Sequence, residues 1–302
     1  MNKHRFDGRV AVVTGGGRGI GRAHALLLAN RGASVVVNDL GGSMEGVGTD
    51  AEPASAAAAE IVAAGGVAIA DNSDIATVAG AEALVDAAVE QFGRLDIVIN
   101  NAGIVRWAGF PEADADNLER HLAVHVAGSF NTTRAAWTHM VEQGYGRVVM
   151  TTSTGMFGLP NNLSYATAKA AVIGLTRSLT TAGAAHGIKV NLIAPAAVTR
   201  MAGGGAGSAE TSAEMAPELV APMVAFLAHE ACPVSGEIYA AGAGRFARIF
   251  IASTVGYVHL ERQATIEDVA RNWATINDES GYYLPADLTA WSAAFTPHLR
   301  SG

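Results

Sequence analysis

From residue 9 to about 241, short runs rich in valine and isoleucine alternate with longer alanine-rich segments, and this alternation constrains the fold more than any other feature. Strand-like runs are read at 9–15 (RVAVVTG), 34–39, 67–74, 95–103, 146–153, 188–195 and 236–242. Helix-like segments fall at 19–32, up to about 64, at 76–93, about 114–143 and 164–186. Strands joined through helices build a parallel sheet with helices on both faces. Near-continuous apolar strands are what burial on both faces requires. The expected fold class is α/β, a doubly wound, mostly parallel sheet of seven strands. The α/β unit is expected over 1–245, and 246–302 is read as a C-terminal extension packed on the same domain or on a neighbouring subunit. Within that extension a Thr-x-x-Asp pattern opens a helix over 265–276.

Composition fits a large buried core: of 302 residues, 50% are hydrophobic and 16% charged. A net charge of −8 with no basic run argues against a nucleic-acid partner. The lone cysteine, Cys232, excludes a disulfide framework within the chain. The nine histidines form no ligand-spaced cluster, so no metal is expected. No apolar stretch reaches the ~18 residues of a membrane span, and no targeting signal is read at either end, so a cytoplasmic location is expected.

After the first strand the chain reads TGGGRGIG and then opens a helix. The glycine spacing is Gly15-x-x-x-Gly19-x-Gly21, with Arg18 and Ile20 between. Glycines there permit a tight turn and the close approach of a pyrophosphate to a helix N-terminus. Asp39 closes the second strand, where a carboxylate accepts from adenosine ribose hydroxyls and repels a 2′-phosphate. Arg18 points the other way, since a guanidinium beside the glycines suits that phosphate. The balance favours NAD over NADP, on a Rossmann-type sheet.

Further along stand "DI" at 74–75, "NNAG" at 100–103, "YATAK" at 165–169 and "APAAVT" at 194–199. With the glycine turn, in this order and spacing, they make residues 6 to about 242 resemble the short-chain dehydrogenase/reductase family. The resemblance implies that the adenine lies near Asp74 and Ile75. It places Asn101, with Ala102 and Gly103, along the cofactor, and gives the nicotinamide end to Pro195, Val198 and Thr199.

Tyr165 and Lys169 stand at i and i+4 and share a helix face. A phenol of pKa ~10 is too weak an acid to act as a base near neutrality. A neighbouring ammonium favours the phenolate, and Tyr165 then accepts the substrate proton. The family also carries a serine thirteen residues before the tyrosine. Counting back from Tyr165, and from Gly155, lands on Thr152, with Ser153 as the alternative; a threonine hydroxyl has the same donor and acceptor capacity. His125 stands where many members have an asparagine, with a proton relay and a satisfied helix histidine both open.

Finer sequence detail, including "VVVNDLGG", "GSF..TRAAW.HM" and "HEAC", is similar to the (3R)-hydroxyacyl-CoA dehydrogenase branch found in peroxisomal multifunctional enzymes and in bacterial relatives. The expected activity is NAD-dependent interconversion of a secondary alcohol and a ketone, most simply a 3-hydroxyacyl-CoA, in a homodimer or homotetramer. A hydroxysteroid or other bulky-alcohol dehydrogenase, and a non-catalytic nucleotide-binding protein, are the alternatives.

Overall fold

The computed structural model describes residues 4–198, 213–260 and 263–300. Eight strands form one sheet: β1 (Val10–Thr14), β2 (Ser34–Asn38), β3 (Val67–Asp71), β4 (Ile97–Asn100), β5 (Gly146–Thr151), β6 (Ile188–Pro195), β7 (Ile238–Gly242) and β8 (Arg245–Ile249). Their order is β3-β2-β1-β4-β5-β6-β7-β8. The pairings from β3 through β7 are parallel, with Thr14 opposite Asn38 and Val98 opposite Val148. Chain order reverses direction between β1 and β4, and the crevice at such a switch point is where ligands bind in open α/β sheets.

The alternation of side chains explains why the strands are apolar at every position. Ala11, Val13, Val35, Val37, Ile97 and Ile99 face one core, shared with Leu28 of α1 (Gly19–Asn30), Ile61 of α2 (Glu52–Ala63) and Leu227. Their neighbours Val12, Val36, Val98 and Val148 point the other way and are also buried. That second face is covered by α3 (Val78–Phe92), the helical stretch 115–143 and α6 (Leu163–Gly183), while α7 (Ala221–Ala228) lies on the first face. Fully burying a Val, Leu or Ile side chain contributes about 1.5–3 kcal/mol, so a two-faced core outweighs weak local helix signals.

Two expectations are corrected. The sheet has eight strands and not seven: β8 follows β7 through a two-residue turn in which Ala243 and Gly244 have φ of +49° and +72°. So short a link joins antiparallel neighbours. β8 reads RFARI, with outward arginines in place of an apolar run, and so carries none of the signal of its buried predecessors. The long helix over 114–143 is broken in register, as α4 (Ala115–His121), a π-helical turn (Leu122–Ala127) and α5 (Gly128–Gln143). Asp114 caps α4 by accepting from Asn117 N at 2.8 Å.

The chain divides into two compact units between Arg248 and Ile249. Taken by itself, the C-terminal unit holds α8 (Ile266–Arg271), α9 (Trp273–Ile276) and α10 (Leu288–Phe295). Thr265 and Asp268 form the reciprocal capping box that the Thr-x-x-Asp pattern predicts. Among its described residues only Asp268 is buried, so local bonds rather than a core order this unit. Among the described residues no helix is long and apolar enough to cross a membrane.

His24, on α1, is fully enclosed, and neither ring nitrogen has a hydrogen-bond partner among the described residues. Burial drives its pKa down to about 3. The folded value lies below the unfolded one near 6.5, so the stability it confers is complete above pH ~6.5 and drains away as pH falls, by up to about 1.4 kcal/mol per unit. Urea unfolding at about pH 7.5 and about pH 5 is expected to show a marked loss at the lower value, and His24→Leu a smaller loss. An identical loss in both proteins would refute this assignment.

Candidate active site

β1 delivers the chain into a turn that only glycine can make. Gly15 and Gly19 have φ of +61° and +52°. A Cβ on Gly15 would lie 2.9 Å from Ala102 Cα, and one on Gly21 would lie 2.1 Å from Gly15 O. The turn is locked to the segment leaving β4. Thr14 Oγ1 accepts from Asn101 N and Ala102 N at 3.0 and 3.1 Å, while Asn101 Nδ2 donates to the carbonyls of Thr14 and Gly15 at 3.0 and 3.1 Å. Asn101 is therefore a latch on the turn, its amide already engaged. α1 begins with neither a capping side chain nor an acidic residue, leaving its first N–H groups available to an anion.

Asp39 stands over this turn. Its carboxylate accepts from Gly17 N at 3.0 Å and from Gly41 N at 2.8 Å. The Arg18 guanidinium is turned to the carbonyls of Gly41 and Gly42, at 3.5 Å each. After β3, Asp74 Oδ1 accepts from Ala76 N, and buried Ile75 packs on Gly128, where a Cβ would meet its Cδ1 at 3.1 Å. Gly103 lies under the His125 ring, which a Cβ there would strike at 2.5 Å. Ile20 packs against the core beneath the turn. Pro195 ends β6, and Val198 N donates to Met215 O at 2.9 Å; Thr199 lies outside the described residues. The glycine cradle, the open helix end and the acid at the end of β2 fit a dinucleotide.

The reacting groups come from β5 and α6. Tyr165 and Lys169 lie on one face of α6, with Lys169 Nζ 5.7 Å from the Tyr165 ring centre. Lys169 is buried, and Nζ donates to Thr151 O at 2.8 Å. Burial lowers its pKa to about 7. The Tyr165 phenol is pushed above its ordinary value by burial, and a hydrogen bond with the Ser153 side chain pulls it back down. In the protein without cofactor, burial outweighs the lowering effect on the phenol. At pH ~7 a lysine with that pKa is only about half charged.

Thr152 is not the hydroxyl beside Tyr165, which corrects the sequence expectation. It is completely buried, and its Oγ1 donates to Lys169 O at 2.6 Å. Ser153 is the next residue, and its Oγ lies near the Tyr165 ring: a Cβ on Gly155 would stand 3.2 Å from Ser153 Oγ and 3.5 Å from Tyr165 Cε1. Counting back from the tyrosine assumes a fixed loop length, whereas the end of β5 is fixed by pairing Thr151 with Ile193.

His125 sits in the π-turn. Its ring stacks on His121 at 5.9 Å and 9°, and both present to Tyr165 edge-on, at 5.4 and 6.3 Å. His125 Nε2 lies 2.9 Å from Ile104 O and 3.2 Å from Ile104 N, and Nδ1 has no partner among the described residues. Burial, then the charge of Lys169, holds it well below the ordinary histidine value, hence neutral at pH ~7. The geometry shows packing and anchoring; no hydrogen bond links His125 to another site group among the described residues. Two residues were missed: His121, whose Nε2 accepts from Arg106 N at 3.3 Å, and Trp107, whose ring centre is 6.5 Å from that of Tyr165. Trp107 follows "NNAG" by four residues, and its size was the available signal.

The short chain dehydrogenase family model matches residues 9–205, and the chain belongs to that family of oxidoreductases. It is 42% identical over 287 residues to the peroxisomal multifunctional enzyme type 2 of Mus musculus, covering 94% of this chain and 38% of that one. The structure of the full-length enzyme of that name from Drosophila melanogaster superposes with a TM-score of 0.81 at 32% identity, over 98% of this chain and 50% of that chain. The chain thus spans half or less of these two relatives. A 7α-hydroxysteroid dehydrogenase complexed with NADH and 7-oxo glycochenodeoxycholic acid superposes with a TM-score of 0.71 at 30% identity, over 80% of this chain and 95% of that chain. Family and neighbour together support a nicotinamide dinucleotide as cofactor.

The two hydroxyls separate in their effects. Ser153→Ala is expected to lower kcat by about 100-fold or more, the cost of removing one donor at a developing oxyanion. Thr152→Val is expected to cost about 1–2 kcal/mol of stability through its lost buried hydrogen bond. Steady-state rates and urea unfolding on both variants check the pair, and a larger kcat loss in Thr152→Val would reverse the assignment.

Proposed function

We propose that this protein interconverts a secondary alcohol and a ketone with NAD, and that the alcohol is a 3-hydroxyacyl-CoA. The observation that carries the reading is the meeting of Ser153 Oγ and the Tyr165 ring at Gly155, where an added Cβ would lie 3.2 and 3.5 Å from them, with Tyr165 on the helix that also carries Lys169. Ser153 hydrogen-bonds the substrate oxygen and fixes it against the phenol. Tyr165 takes the hydroxyl proton in oxidation and returns it in reduction. When bound, the nicotinamide ring supplies the hydride acceptor, and its positive charge favours the phenolate that burial alone disfavours. Lys169 holds the ribose side of the site and, where charged, adds to that effect. His121 and His125 wall the phenol from behind as neutral rings.

The preference for NAD rests on Asp39, whose carboxylate stands against Gly17 N where a 2′-phosphate would be repelled. The acyl-CoA assignment is supported by likeness to the multifunctional enzymes. A bulky alcohol such as a steroid is the second reading, supported by the hydroxysteroid dehydrogenase neighbour and by the broad, exposed Trp107. Assembly as a homodimer or homotetramer fits an apolar groove of about 450 Å³ lined by Leu122, Val126, Phe130 and Leu175.

The test is a panel of 3-hydroxyacyl-CoA and steroid alcohols with NAD and NADP in parallel, following reduced cofactor. Turnover is expected with the acyl-CoA substrates and NAD, and Tyr165→Phe is expected to lower kcat by about 1,000-fold or more. Full activity in Tyr165→Phe would disprove the mechanism. Absence of any turnover would favour a nucleotide-binding protein without catalysis.

A further inference from the structure

The segment leaving β4 is held unusually firmly for a loop, and the residue it presents has no part in the chemistry above. His121 Nε2 accepts from Arg106 N, and Asn117 Nδ2 donates to Arg106 O at 3.2 Å. A parallel bridge joins Ala108 to Asn162, with Leu163 N donating to Ala108 O at 3.3 Å. Between these two clamps lies Trp107. Its backbone neighbour Arg106 turns its guanidinium to Asp116 at 2.8 Å, which removes the segment's charge from the tryptophan side.

The indole is 42% exposed, although its ring centre is 6.5 Å from Tyr165 and tilted 35° to it. A large aromatic that is clamped in place, half wet and adjacent to the reacting phenol offers an apolar face to whatever is attached to the reacting carbon. Phe110, three residues beyond Trp107, and Phe157 and Leu159, on the segment bridged to it after Ser153, are 80%, 73% and 57% exposed.

We propose that Trp107 is the specificity-determining wall of the substrate site, selecting secondary alcohols whose carbinol carbon carries an extended or flat apolar arm. This rests on the dehydrogenase reading above. A pre-clamped ring adds affinity without the cost of ordering a loop, and the gain grows with the length of arm it covers.

The experiment compares two 3-hydroxyacyl-CoA substrates that share the reacting carbon, one with a short and one with a long alkyl arm. Wild type, Trp107→Ala and Trp107→Phe are assayed by NAD reduction. The long-to-short ratio of kcat/KM is expected to fall about tenfold or more in Trp107→Ala, with Trp107→Phe between. An unchanged ratio in Trp107→Ala, with wild type turning over both substrates, overturns the inference and leaves the dehydrogenase reading standing. Wild type inert toward both substrates removes that reading and this inference together. Should Trp107→Ala fail to fold, Trp107→Phe carries the comparison: a lowered ratio supports the wall, and an unaltered one overturns it.

Discussion

A buried ammonium bonded to a main-chain carbonyl sets the terms for the site. Lys169 Nζ reaches down to Thr151 O at the end of β5, and Thr152 Oγ1 reaches back to Lys169 O. Removing a charge from water is costly, and a carbonyl offsets that only in part; hence the depressed pKa. The two bonds run in opposite directions between the same strand end and the same helical turn. They fix α6 along its axis and in rotation against the end of β5, which carries Ser153 toward the Tyr165 ring. Slipping the helix by one residue would break both bonds and carry the phenol away from Ser153.

A second interlock does for the cofactor end what this one does for the proton. β1 and β4 lie side by side but far apart in sequence, and where the strands end Asn101 and Ala102 donate four hydrogen bonds to Thr14 and Gly15. The glycines make those bonds possible by bringing two backbones within contact distance. The crevice is thus made by the sheet's reversal of order, and the latch across it by Thr14 and Asn101.

Legibility in the sequence followed burial. Strands buried on both faces, such as β1, β4 and β5, announce themselves as apolar runs, and β3 was readable by its β-branched run although none of its residues is buried. β8 was not, because an edge strand with arginines outward has no such pattern. The π-turn was also invisible, since adding one residue to a helical turn leaves the local composition unchanged. At the site, Tyr165 and Lys169 were readable because helical spacing is rigid over four residues. Which of Thr152 and Ser153 lies toward the phenol was not readable, because the count crossed a loop with a 3-10 turn of its own, Thr154–Phe157, whose length no periodicity fixes.

The arginines that hid β8 from recognition serve the molecule in another way. A terminal strand offers a free row of amides and carbonyls to any other strand that drifts past. Here Arg245 and Arg248 are both exposed on that strand, the second held at 2.7 Å by Glu237, the residue before β7. An incoming strand would have to strip water from these cations before it could pair, so the ribbon of strands is discouraged from growing into its neighbours, and crowding on the ribosome or in a concentrated solution finds no ready seed for stacking.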